Sequence, residues 1–205
     1  TQTFYDDLYR VVKTVDALGN EWRREYDDDN RSIRSIDPLG RVTVVRHDEM
    51  GRVIESRDPL NQVSTFEYDN NGQLVRQTDP RGNVTQTQYD ALNRVVRSID
   101  AAGFATIYTY NQLGQLVAVT DASNATTTYE YDAAGRRTRT TLPNGGIEIT
   151  AYDAKGQKVS VTDALGRIST TTYDARGRLT TQSDPRGEIT QYAYDSENQL
   201  IRTTD

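Results

Sequence analysis

Tyr-Asp pairs recur every 21 residues, and no insertion breaks that interval anywhere along the chain. They begin at Tyr5, Tyr26, Tyr68, Tyr89, Tyr131, Tyr152, Tyr173 and Tyr194, with His47-Asp48 and Tyr110-Asn111 in the two remaining places. A fixed period of this size marks an array whose units cannot bury a face alone and must stack on their neighbours. Residues 1–205 therefore read as a single array of ten copies. Its start just before a Tyr-Asp pair suggests a fragment of a longer protein.

The residue types at fixed places within the period say what each unit is. With the Tyr place as position 1, position 5 is Gly51, Gly72, Gly114, Gly135, Gly156 and Gly177, or Asn30, Asn93 and Asn198; only Tyr9 departs. Gly and Asn accept positive φ cheaply, and an Asp three residues earlier can hydrogen-bond its own backbone to start a turn. Position 12 is Asp except at Leu142, position 13 is Pro or Ala, and position 15 is Gly or Asn. Both signatures predict a type I turn closed by a left-handed residue. Two turns per period imply two strands, over roughly positions 6–11 and 16–1, and both are rich in Val, Ile, Thr and Tyr. No helical periodicity appears. The expected fold is all-β: tandem antiparallel hairpins, about twenty short strands, in a long twisted, spiralling sheet.

Alternation along the strands is imperfect. Position 8 is Val or Ile in eight of ten copies and position 7 is apolar in seven, so both faces carry some apolar surface. A sheet exposed on one side would alternate more cleanly. The pattern suits a sheet that curls on itself or wraps something. Hydrophobic residues make up 35% of the chain, with three Phe, one Trp and one Met, too few for a thick core. Thirteen Tyr and many β-branched residues separate it from disordered chains.

The formal net charge is −6 without a long run of either sign. That argues against a nucleic-acid partner, which requires a basic stripe. No apolar run reaches the ~20 residues of a membrane span. The absence of cysteine excludes disulfides and thiolate sites without fixing a compartment.

Tyr68-Asp69-Asn70-Asn71-Gly72-Gln73-Leu74-Val75, then Thr78-Asp79-Pro80-Arg81-Gly82 and Tyr89-Asp90, resembles the YD-repeat consensus of RHS proteins. Tyr173-Asp174-Ala175-Arg176-Gly177-Arg178-Leu179 is closer still. The resemblance covers the whole chain. It implies a strip of a hollow YD shell, which in polymorphic and ABC-type toxins encloses a cytotoxic C-terminal region and in teneurins and other cell-surface members serves adhesion. It also implies a secreted or surface location for the parent protein, although this segment shows no targeting signal. Asp37-Pro38-Leu39-Gly40 and Asp184-Pro185-Arg186-Gly187 look like the self-cleavage element of toxin relatives, but they sit in register as repeat turns, so no autoprotease residues are carried over.

No catalytic, cofactor-binding or metal-binding residue is assigned, and the chain is not expected to be an enzyme. His47 stands alone, in a Tyr place. Ser32, Ser56, Ser98, Ser160 and Ser183 lack a nucleophile-elbow setting. Asp27-Asp28-Asp29-Asn30 is the densest acidic cluster, but Asp recurs at nearly every turn, and catalysis needs one unusual site. The Tyr ladder is read as packing between repeats, with stacking on sugars as the other possibility. The expected function is an encapsulating scaffold, with an enclosed toxin polypeptide and adjoining repeats as partners. The alternative is an extracellular adhesion module that binds carbohydrate or a protein. Free sheet edges allow self-association.

Overall fold

The computed structural model describes all 205 residues and contains twenty β-strands and no helix. The strands follow the period: β1 Gln2–Tyr5, β2 Val11–Val15, β3 Glu21–Asp27, β4 Ser32–Ile36, β5 Val42–His47 and so on to β12 Leu116–Thr120, β13 Thr126–Tyr131, β14 Arg137–Thr141 and β20 Leu200–Thr204. They correspond to positions 7–11 and 17–1, within a residue of the expected limits. Contacts divide the chain into two compact units, Thr1–Ala105 and Thr106–Asp205. In each unit the strands form an antiparallel meander in which every strand pairs with the next in sequence.

The turns carry the predicted backbone. In the first, Tyr9 N donates to Asp6 O at 3.0 Å and Asp6 N to Arg10 O at 3.0 Å. This is a type I turn followed by one left-handed residue. The left-handed residue is Gly or Asn at nearly every turn, as at Gly103 (φ 86°) and Asn61 (φ 62°). Tyr9 departs in sequence but not in backbone, and holds φ 59° without the glycine that position favours. One turn differs from expectation. Asn30 is not the left-handed residue of its hairpin; Arg31 is, at φ 49°. Three consecutive aspartates offer alternative starts, and the turn closes one residue later, with Arg31 N on Asp28 O at 3.4 Å.

That displacement has a consequence for register. Hairpins closed at a Tyr-Asp turn contain a bulge beside the Tyr: Glu130 faces Arg139 and Tyr131 faces Arg137, so Thr138 is unpaired. The β3–β4 hairpin has none, and runs in unbroken register from Arg23↔Ile36 to Asp27↔Ser32.

No hydrophobic side chain is buried, and Thr140 is the one buried residue. The accessible surface is 14085 Å², against roughly 9,700 Å² for a globule of this mass. The sheet is one layer thick. Register assigns side chains to its two faces. One face holds Tyr129 and Tyr131 opposite Thr140 and Arg137. The other holds cross-strand ion pairs, among them Arg34–Glu25 at 2.6 Å and Arg76–Glu67 at 2.9 Å. These are exposed and contribute little singly. Stability therefore rests on turns, ladders and the links between hairpins. Relieving the strain at Tyr9 should register directly: Tyr9→Gly is expected to raise stability by about 1 kcal/mol, read as a higher urea midpoint with an unchanged slope.

Candidate functional site

The two edges of the sheet are built differently, and the Tyr-Asp edge holds neighbouring hairpins together. At both edges an Asp side chain closes the turn. Asp132 Oδ1 accepts Ala134 N and Arg136 N, each at 3.0 Å. Asn111 makes the same pair of bonds through its amide oxygen. At the Leu142 turn, which has no Asp, Asn144 Oδ1 accepts Gly146 N at 2.9 Å instead. These bonds set the charge state. The Arg136 guanidinium and then the Arg136 backbone N–H hold the Asp132 carboxyl below the usual carboxylate range. The Arg178 backbone N–H and then its guanidinium do the same for Asp174.

Between hairpins the backbone ladder is short. β12 and β13 pair at Thr120↔Thr126, Val119↔Thr127 and Ala118↔Thr128, near the Asp121-Ala122 turn, and go no further. The bulge pulls the rest of β12 out of reach and leaves the Leu116 carbonyl beyond the ladder. The Tyr131 hydroxyl spans the gap and donates to that carbonyl at 2.7 Å. The same bond, always 15 residues back, joins Tyr26 to Val11, Tyr68 to Val53, Tyr89 to Leu74, Tyr152 to Arg137 and Tyr173 to Lys158, at 2.8–3.2 Å. This part of the Tyr row is a seam, with each of these phenols replacing a missing ladder bond.

Position 6 completes the seam. Arg136 pairs with its own turn's Asp132 at 2.6 Å, donates Nη1 to the Asp153 carbonyl of the next repeat at 3.3 Å, and lies 4.6 Å over the Tyr152 ring. Arg52 and Arg178 repeat this over Tyr68 and Tyr194. Where position 6 is Gln, the reach is longer: Gln157 Nε2 donates to Gly177 O at 3.0 Å, and a Cβ on Gly177 would meet it at 3.2 Å. From Arg52 to Gln199 the two residues alternate strictly.

His47 marks the exception in the seam. The unbulged β4 pairs with β5 along its whole length, and the His47 backbone N donates to Arg31 O at 2.9 Å. The ladder there needs no phenol. The His47 Nδ1 lies 3.3 Å from the same carbonyl. His47 can stand in a Tyr place because of the register of the hairpin before it.

The other residues considered fall into structural places. Ser32, Ser56, Ser98, Ser160 and Ser183 lie on separate strands, and Ser183 Oγ bonds the Thr170 hydroxyl at 2.8 Å. Asp27 is tied to Asn30, and Asp28 to Arg10 at 2.6 Å. No group of three His, Cys, Asp or Glu side chains comes together in a metal-binding arrangement. No helix is long and apolar enough to cross a membrane. Sequence reasoning missed the bulge, the seam's hydrogen bonds and the role of position 6 across repeats. The Arg/Gln alternation was the available signal for the last.

The sequence matches the family model for the RHS Repeat at residues 26–63, 47–84, 68–105, 110–147, 152–189 and 173–205. No curated protein matches it. Among solved structures it is similar to part of the Photorhabdus luminescens Tc holotoxin pore. The TM-score is 0.65 at 19% identity, over 98% of this chain and 14% of that one. A TcdB2–TccC3 structure aligns over 98% of this chain and 16% of its own at 16% identity, with a TM-score of 0.42. The chain thus spans about a seventh of the structures it resembles.

Tyr131→Phe is expected to cost about 1 kcal/mol in urea unfolding through the unpaired Leu116 carbonyl, while His47→Phe costs markedly less. The depressed turn carboxylates make the sheet acid-sensitive. The unfolded chain binds more protons than the folded one, so the contribution of Asp132 is whole above its ordinary value of 3.8 and is lost as the pH falls through the lower folded value. The urea midpoint should hold steady from about pH 7 to 5 and drop below about pH 4.

Proposed function

The chain belongs to the RHS repeat family, and on that premise we propose that its sheet is a stretch of wall in a hollow shell that encloses a toxic C-terminal polypeptide. The observation that carries this reading is a one-layer sheet without a buried core whose hairpins are fastened side by side along a seam. Such a sheet is suited to separating two volumes. Every turn is locked by local bonds and the period never varies, so repeats add without disturbing those before them. The similar fold within a Tc holotoxin supports a toxin-related setting.

The mechanism is confinement. Wall residues exclude proteases and membranes from the enclosed chain, and no residue of the wall needs to react. The adjoining repeats of the parent protein are the first partners, since each hairpin bonds the next through Tyr and position 6. The enclosed polypeptide is the second, and the parent protein acts outside the cell that makes it or at its surface. Limited proteolysis of the intact parent protein tests this. A polypeptide C-terminal to the repeats should survive while the shell is folded and be cleaved in the same digest once the shell is opened by about pH 3. Equal cleavage in both conditions would count against enclosure.

A further inference from the structure

A cavity of about 830 Å³ opens on the Tyr-bearing face of the first unit and is lined by Trp22 and Arg24 of β3 together with Thr14, Ser35 and Thr43. Its volume lies within the roughly 300–1,000 Å³ common for small-ligand sites. Register places these side chains together: Thr14 faces Trp22, Arg24 faces Ser35, and Ser35 faces Thr43.

Two of these residues are not what the repeat uses. Trp22 is the sole Trp, at a position held elsewhere by Thr43, Ser64, Thr85, Thr106, Thr127, Glu148, Ser169 and Thr190. It is 43% exposed. Arg24 occupies a position that holds Thr, Val, Phe or Tyr in every other repeat. The fold therefore requires neither residue. The other cations of the cavity are paired, Lys13 with Glu21 at 3.6 Å, Arg23 with the same Glu21, and Arg41 with Asp37 at 2.5 Å. Arg24 has no carboxylate against it, in a chain of net charge −6.

We propose that this cavity binds a ring-bearing carboxylate, a molecule with a flat apolar face and an acid group. The indole offers a flat surface for the ring. The guanidinium fork matches a carboxylate and makes charge-assisted bonds stronger than neutral ones. The hydroxyls of Thr14, Ser35 and Thr43 can donate or accept around it. An added peptide strand is disfavoured, because the backbone at this height is already paired on both sides of β3. A uronic acid sugar and an aromatic acid share the required chemistry.

Trp22 fluorescence reports on the site alone, since no other Trp is present. The 205-residue chain is titrated with trigalacturonate and with neutral maltotriose by fluorescence, and with benzoate by calorimetry. Saturable binding of trigalacturonate or benzoate, weakened about tenfold or more by Arg24→Thr and absent with maltotriose, supports the site; whichever acid binds more tightly identifies the source. Thr already occupies this position in other repeats, at Thr87 and Thr150 among them, so the variant keeps the sheet. Saturation by neither acid, equal affinity for maltotriose, or an Arg24→Thr affinity unchanged from wild type would overturn the proposal.

Discussion

All but two of the turns are closed by a side-chain oxygen that accepts two backbone N–H groups, two and four residues on, as Asp6 Oδ1 does from Leu8 and Arg10; the Asp27 and Leu142 turns make do with one such bond each. Everything else in the sheet depends on this local bond. A globular domain tolerates a poor turn because burial of apolar side chains outweighs it. Here no apolar side chain is buried, so the turn fixes both the register of its hairpin and the place where the next begins. The left-handed residue that follows sets the bulge, the bulge shortens the ladder to the next hairpin, and the Tyr hydroxyl replaces what the ladder lost.

This chain of causes explains why one irregular hairpin changes several residues at once. The Asp27-Asp28-Asp29-Asn30 turn closes one residue late, at Arg31. Without a bulge, β4 and β5 stay paired to the end, and the place that is otherwise Tyr can hold His47. The lone histidine and the acidic cluster, two features that in isolation suggest chemistry, have one shared structural cause.

The fold was largely legible in the sequence because its determinants are local. Gly, Asn and Asp at fixed spacing gave the turns, and β-branched runs gave the strands between them. What remained hidden was relational. The Tyr131 bond to Leu116 depends on a register shift that no single residue announces. In the sequence, Arg136 stands four residues from its own Asp132, and nothing there shows that it also reaches the backbone and ring of the next repeat. The Trp22 cavity appears only when Thr14, Ser35 and Thr43 are brought beside it by pairing. A family resemblance describes the repeat, not the position at which one copy departs from it.

The missing core has a thermal consequence. The heat-capacity increment of unfolding tracks the apolar surface newly exposed to water, and this sheet hides little of it. Its stability curve is therefore shallow, and the weakening of hydrophobic attraction on cooling has little to act on. A sheet held by hydrogen bonds and ring–cation contacts therefore loses less of its strength on cooling than a domain with a packed apolar core.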